Sequence, residues 1–471
     1  MSTGLIMLIL FSGFIILLVL GLPMAFCLGG MGTAFLFLFM GPKNAAWLIS
    51  AYFKNTLDDF LLIAIPMFIF MACMLQSSGI ADRLYSTMNH WMGRVKGGLA
   101  IGTVMISTIL ASMVGTSDAA INVMGIAGLP AMLQHKYDKG LSMGVIMAGS
   151  ALGILIPPSA LMLIYSDVAE VPPHHLFLAG IFPGILLTLL YIIYIMVKNA
   201  SRNETDIDGV SYQKFSLKEK MVSLSGVIAP LFLLVAVMGS IFLGIATTTE
   251  AAAVGALGSI VCAAIYRKLS WNSLNKALLK SLKLTCMMMW IIIAAQSFTS
   301  AYNLVGFTQV VADFFTDLQM NRWIILISLQ ILFFIIGCFL DPYSIVMITS
   351  PIYIPIVQML GFDSVWFAIL FIMNMQLAYL TPPFGLNLFY MKAVAPPNTM
   401  IEEVYRSAIP FVLLQSLGLA IVMALPSIAL SLPNHVYQNG GNLTGIFGRQ
   451  RIELGGPSLT TGGQGQVSFS E

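Results

Sequence analysis

Two aspartates and two tandem prolines carry most of the chemistry in a chain that is otherwise nearly free of it. Asp118 follows Ser112, Gly115, Thr116 and Ser117, while Asp341 lies between Gly337-Cys338 and Ser344. Beyond each comes a proline pair in an apolar stretch, ALGILIPPSALMLIY from Ala151 to Tyr165 and QLAYLTPPFGLNLFY from Gln376 to Tyr390. A proline pair removes two backbone donors and disfavours helix in the residue before it, so a helix must break at each site. Carbonyls freed by such a break suit a hard cation such as sodium, and the N-termini of restarting helices present amides to an anion. An aspartate in an apolar segment costs roughly 3 kcal/mol at a helix centre on insertion scales. It therefore needs a reason to be there: ligand contact, capping of the returning helix, or both.

The elements that position these residues are membrane helices. Apolar residues make up 58% of the chain and charged residues 9%, against roughly 25% charged in soluble domains. That balance excludes a soluble enzyme. Stretches of about 20 apolar residues, long enough to cross a bilayer, recur from Leu5 to Leu430 and define an all-α polytopic membrane protein. The first, Leu5 to Leu22, has no Lys or Arg before it and no small-residue cleavage site, so it reads as a retained helix. Cys27, Cys73, Cys262, Cys286 and Cys338 lie in apolar segments without CxxC spacing, so neither a disulfide framework nor a transition-metal site is expected.

Basic residues orient the chain. Two stretches, Lys198, Arg202, Lys214, Lys218 and Lys220, then Arg267, Lys268, Lys276, Lys280 and Lys283, are separated by two apolar segments and fall on one side. The positive-inside rule makes that side cytoplasmic. Tracing outward puts the N-terminus outside and makes 97–134 and 322–358 re-entrant helical hairpins. Seventeen of the 22 Lys and Arg then lie inside, leaving Lys43, Lys54, Arg322, Arg449 and Arg451 outside.

Shifting the sequence by 225 residues lays Pro157-Pro158 on Pro382-Pro383, Tyr165 on Tyr390, Pro130 on Pro355 and Gly30 on Gly255. One unit was duplicated. Because an odd number of crossings separates the copies, they are inverted repeats, the plan of many secondary transporters. The expected organisation is a first repeat over 1–200 with a broken helix at 141–168, and a cytoplasmic linker at 201–221. A second repeat over 222–432 has its broken helix at 365–394, and a polar flexible tail follows at 433–471. Amphipathic segments at 80–96 and 305–321 are expected along the interface as braces.

Other polar residues leave two readings open. Glu250, after Thr247, Thr248 and Thr249, opens a small-residue helix and is favoured there by the helix dipole alone. Gln296, Ser297, Thr299 and Ser300 either hydrogen-bond between helices or line a polar cavity. His174 and His175 are loop residues. No GxxxxGK[ST], HExxH or GxSxG motif occurs, so neither ATP hydrolysis nor zinc or serine catalysis is expected, and no catalytic residue is assigned. No nucleic-acid partner is expected, the lipid bilayer being the surrounding medium.

LGILIPPS at Leu152–Ser159, TEAAAVGA at Thr249–Ala256, FLDP at Phe339–Pro342 and LTPPFGLNLF at Leu380–Phe389 resemble the large subunit of tripartite ATP-independent periplasmic (TRAP) transporters. The resemblance runs from about Leu5 to Leu432. It implies sodium-coupled import of a small organic anion (a carboxylate, sugar acid or sulfonate) across a bacterial inner membrane, by an elevator mechanism. It also implies two partners, a periplasmic substrate-binding protein and a small four-helix membrane subunit. No four-span block precedes Leu5, so that small subunit is expected as a separate chain. By the same resemblance a first sodium site involves Gly115, Thr116, Ser117 and Pro157, and a second Asp341, Thr381, Pro382 and Gly385. Asp118, Ser159, Gln296, Ser300 and Asn387 would lie near the substrate, and no cofactor beyond the coupling ion is expected. Two alternatives remain. One is a stand-alone ion-coupled dicarboxylate carrier; the other is an intramembrane aspartyl enzyme using Asp118 and Asp341.

Overall fold

The computed structural model describes residues 3–78, 87, 97–200, 217–307, 309–310, 321–383 and 385–438. The amphipathic segment expected at 80–96 falls outside them except for residue 87, and that at 305–321 falls mostly outside them. Among the described residues the regular structure is entirely helical. Seventeen α-helices follow one another: α1 (Thr3–Val19), α2 (Met24–Asp58), α3 (Ala64–Ser77), α4 (Gly98–Val114), α5 (Ser117–Gln134), α6 (Lys139–Ala151), α7 (Ala160–Ala169) and α8 (Pro173–Ala200). Then come α9 (Leu217–Phe242), α10 (Thr248–Ile265), α11 (Trp271–Leu304), α12 (Arg322–Gly337), α13 (Pro342–Met359), α14 (Ser364–Tyr379), α15 (Leu386–Val394), α16 (Ile401–Ala424) and α17 (Ser427–Gln438).

The 225-residue register reaches beyond the proline motifs to the helix ends, since it carries Ser117–Gln134 of α5 onto Pro342–Met359 of α13 end for end. It likewise pairs α4 with α12, α6 with α14, α7 with α15 and α8 with α16, and the order of α1–α3 is echoed by α9–α11. Two boundaries differ from the sequence expectation. Helix α9 starts at Leu217, inside the expected 201–221 linker, and α17 runs through Pro433 to Gln438, so the start of the expected flexible tail is helical. The chain divides into two compact units, Met1–Pro433 and Asn434–Glu471. Of the second, only the helical residues 434–438 are described.

Among the described residues five helices, within α2, α8, α10, α11 and α16, are long and apolar enough to cross a membrane by length and composition, and eight shorter ones are apolar. Helix α2, at 35 residues, bends where Gly41 takes φ 77° just before Pro42.

Packing sorts the helices into two groups. Helices α2, α3, α10 and α11 pack on one another, with α1 against α2 and α9 against α10. The hairpin and broken helices form the second group, and its halves interlock: α5 packs on α15 of the other repeat, and α13 packs on α7. Gly32 stands where α2 crosses α11, and a Cβ there would lie 2.5 Å from Phe298 N and 2.7 Å from its Cα. Backbone cannot yield as a side-chain tip can. Gly32→Ala should destabilise the protein by about 1–3 kcal/mol, read as a lower thermal midpoint in detergent. Gly30→Ala, with nothing within 4 Å of its Cβ, should leave that midpoint where it is.

Candidate functional site

The first hairpin reverses in two residues. Gly115 ends α4 in the left-handed region at φ 68°, and Thr116 is extended before α5 starts at Ser117. A side chain at Gly115 would be strained there, and its Cβ would sit 3.3 Å from the Pro158 carbonyl oxygen. The hairpin tip therefore rests on the first broken helix. Ser117 Oγ fixes it by donating to the Ser150 carbonyl at 3.0 Å.

The helix end above that tip leaves carbonyls without helical donors, and most find other partners. Ser150 O takes the Ser117 hydroxyl, Ala151 O takes Gln376 Nε2 at 3.0 Å, and Ile154 O takes the Ser159 hydroxyl at 2.7 Å. Leu152 O receives the amides of Leu155 and Ile156. Gln376 and Ala151 occupy the same place in the two repeats, so this bond joins the copies at equivalent positions. The Pro157 and Pro158 carbonyls accept no hydrogen bond among the described residues.

The second break repeats the pattern. Leu377 O accepts the Leu380 amide and the Thr381 hydroxyl, at 2.8 Å for the latter, and Thr381 O accepts the Gly385 amide. Pro382 O and Pro383 O again have no donor among the described residues. Both proline pairs carry a cis peptide bond. Burial separates the two sites, for Pro157 and Pro158 are buried whereas Pro382 and Pro383 are exposed. The first break lies closed under its hairpin tip and the second lies open.

The two aspartates play different parts. Asp341 caps α13, accepting from Ser344 N at 3.0 Å and Ser344 Oγ at 2.7 Å. Asp118, the second residue of α5, is half-buried and has no hydrogen bond or ion pair among the described residues. Both carboxylates lie within electrostatic reach of Tyr343 and Tyr379, and Asp118 also of Tyr390. Those three tyrosines thus mark the place where the hairpin tips converge. Their hydroxyls have no hydrogen-bond partner among the described residues. Sequence reasoning passed over them because a tyrosine in an apolar helix reads as packing; only Tyr390, matched to Tyr165 by the repeat, gave a signal.

Other predicted residues fall as follows. Asn387 is buried and donates Nδ2 to Met147 O at 3.2 Å, joining α15 to α6, while its Oδ1 and Gln376 Oε1 have no partner among the described residues. Gln296 and Ser300 face α2, where Gln296 Oε1 lies 3.5 Å from Thr56 Oγ1 and Ser300 bonds the Tyr52 hydroxyl. Their neighbours reach the second hairpin instead: Thr299 Oγ1 donates to Met347 O at 3.1 Å and Tyr302 OH to Ile348 O at 2.5 Å. Glu250 is exposed and closes a capping box with Thr247, accepting its amide at 2.8 Å. Among the described residues no group of three or more His, Cys, Asp or Glu could hold a metal ion.

An all-helical apolar chain with duplicated helix breaks and converging hairpin tips belongs to the membrane-embedded transporters. The fold agrees with the crystal structure of the YdaH transporter of Alcanivorax borkumensis, at TM-score 0.56 and 13% identity, over 84% of this chain and 90% of that one. Its sequence specifies the family. Residues 11–428 match the tripartite ATP-independent periplasmic transporter, DctM component, and the chain belongs to that family. It is 33% identical over 406 residues to the C4-dicarboxylate TRAP transporter large permease protein DctM of Pseudomonas aeruginosa, covering 86% of this chain and 93% of the relative. It is 29% identical over 423 residues to the isethionate TRAP transporter permease protein DctMQ of Oleidesulfovibrio alaskensis, covering 90% of this chain and 65% of that longer protein. The chain is therefore a multi-pass inner-membrane permease subunit, which is not a class of enzyme.

Proposed function

We propose that this subunit imports a small organic anion, handed over by a periplasmic binding protein, using the sodium gradient. The observation that carries the reading is that Asp118 and Asp341, one at each hairpin tip, lie within electrostatic reach of the same two tyrosines, Tyr343 and Tyr379. Near each tip a proline carbonyl stands without a donor among the described residues, and such oxygens suit a hard cation. Gly115, Thr116, Ser117 and Pro157 would form one sodium site, and Asp341, Thr381, Pro382 and Gly385 the other. Bound sodium offsets the carboxylates and lets an anion approach a site where the chain offers no lysine or arginine. Residues 140–197 and 323–391 contain neither. The substrate's acid group would then be held by hydroxyls, amides and helix N-termini, with Ser159, Asn387 and the three tyrosines as neighbours.

Hairpin and broken helices would move together as an elevator against the α1–α3 and α9–α11 scaffold, the hairpins entering from opposite faces. The small four-helix subunit would extend that scaffold. The names of relatives transporting a dicarboxylate and isethionate support a small acid as cargo, and do not decide which.

Reconstitution in proteoliposomes tests the scheme. Uptake should require an inward sodium gradient, the small subunit and the binding protein together. Undiminished uptake without the binding protein would favour a stand-alone carrier, and gradient-independent uptake would remove sodium coupling. Tyr379→Phe deletes one hydroxyl and little volume, and is expected to raise the KM for substrate several-fold, the worth of one hydrogen bond of about 1 kcal/mol. The sodium dependence should stay unchanged. A shift in the sodium curve at constant KM would place Tyr379 with the ions instead.

A further inference from the structure

Away from the paired breaks, the N-terminal ends of α6 and α16 and the C-terminal end of α8 line an open cavity of about 340 Å³. Three cationic residues line it, Lys139, Lys198 and Arg406, together with two carboxylates, Asp138 and Glu403. The carboxylates are engaged. Glu403 Oε2 pairs with Lys139 at 2.6 Å, and Asp138 Oδ1 both accepts the Leu141 amide at 2.7 Å and meets Lys198 at 3.3 Å. Arg406 is exposed and has no hydrogen bond or ion pair among the described residues. The lining thus carries a net charge of +1, with an unpaired guanidinium as its strongest donor. Beside the charges the wall is apolar, formed in part by Phe411.

Charge distribution places this end of the bundle on the cytoplasmic side, where the leaflet is anionic and basic pockets between helices hold lipid head groups. The volume suits a small ligand, for which sites run from about 300 to 1,000 Å³. A planar guanidinium fits a phosphate bidentately, Lys198 adds a second positive charge, and the apolar wall suits glycerol and acyl carbons. We propose that this cavity binds a phosphate-bearing anion through Arg406 and Lys198, in the cell the phosphodiester head group of an anionic lipid. The inference does not depend on the ion or substrate sites, because none of the lining residues belongs to the breaks or the hairpin tips.

Thermal unfolding of the purified chain in neutral detergent tests it, with phosphatidylglycerol, phosphatidylcholine or inorganic phosphate titrated in. Phosphatidylglycerol should raise the midpoint saturably and phosphatidylcholine should not. Arg406→Gln and Lys198→Gln should each weaken the apparent affinity by about tenfold, the worth of one charge-assisted contact. Lys276→Gln, on another cytoplasmic stretch, should retain the full response. Protection by the lipid alone identifies a lipid head-group site; protection by inorganic phosphate that competes with the lipid identifies a site for free phosphate. Equal responses from the parent and both cavity variants would overturn the proposal. So would an equal loss in Lys276→Gln, since that would be surface electrostatics in general. Lys198→Gln keeps the test decisive should Arg406→Gln fail to fold.

Discussion

Asp118→Asn should leave the protein folded and shift its sodium requirement upward by about ten- to a hundred-fold, the worth of one interaction with a charged group at about 1.5–3 kcal/mol. The expectation follows from the difference between the two aspartates. Asp341 has a structural duty, since its carboxylate caps α13 through Ser344. Removing that cap with alanine costs about 1 kcal/mol of stability on its own, so a transport defect in Asp341→Ala would have two causes. Asp118 has no such duty among the described residues, its helix being entered from Thr116 without a side-chain cap. A half-buried carboxylate without a partner is unfavourable in an apolar setting, and a cation arriving during transport would relieve that cost. Asparagine keeps the shape and removes the charge. Sodium-titrated uptake in proteoliposomes, with the thermal midpoint measured beside it, separates the outcomes. A sodium curve that superposes on the parent's would detach Asp118 from ion coupling.

The backbone plan is largely legible in the sequence, because it follows from local chemistry. Proline pairs must interrupt a helix, and Gly115 gives the first hairpin a residue suited to the left-handed turn found there. The register that aligned Pro157 with Pro382 also aligned helices the motifs never touched. What stayed hidden depends on which helices meet. Nothing local says that α5 lies on α15 and α13 on α7, yet that interlocking brings Tyr343 and Tyr390 to the same tip as Asp118. Nor does the repeat reveal that its copies differ in exposure, with Pro157 buried and Pro382 open. Identical motifs specify the same break, and only the packing around each decides what reaches it. The polar run from Gln296 to Ser300 shows the same limit. Its composition announced hydrogen bonding, but rotation of the helix sends Gln296 and Ser300 to α2 and Thr299 to α13.

Thr299→Val is expected to lower stability by about 1–3 kcal/mol while uptake per folded molecule increases. Pro351 lies inside α13 and has no amide to give, so the carbonyl four residues earlier, Met347 O, loses its helical donor. Thr299 supplies the replacement from α11 at 3.1 Å, and Tyr302 adds a bond to the adjacent Ile348 O at 2.5 Å. Valine keeps the shape of threonine and deletes the donor, leaving a carbonyl unsatisfied away from water, which costs more than the bond itself contributed. These two bonds tie the second hairpin to a scaffold helix. If the hairpin helices slide past α11 during transport, both bonds belong to one end of the stroke, and weakening them raises that end relative to the barrier. A purely structural role leaves uptake per folded molecule unchanged, with total uptake falling in step with the folded fraction. Thermal midpoints and uptake normalised to folded protein, measured for Thr299→Val and Tyr302→Phe singly and together, distinguish the two. A loss of turnover at unchanged stability would contradict both accounts and place Thr299 in the transport path itself.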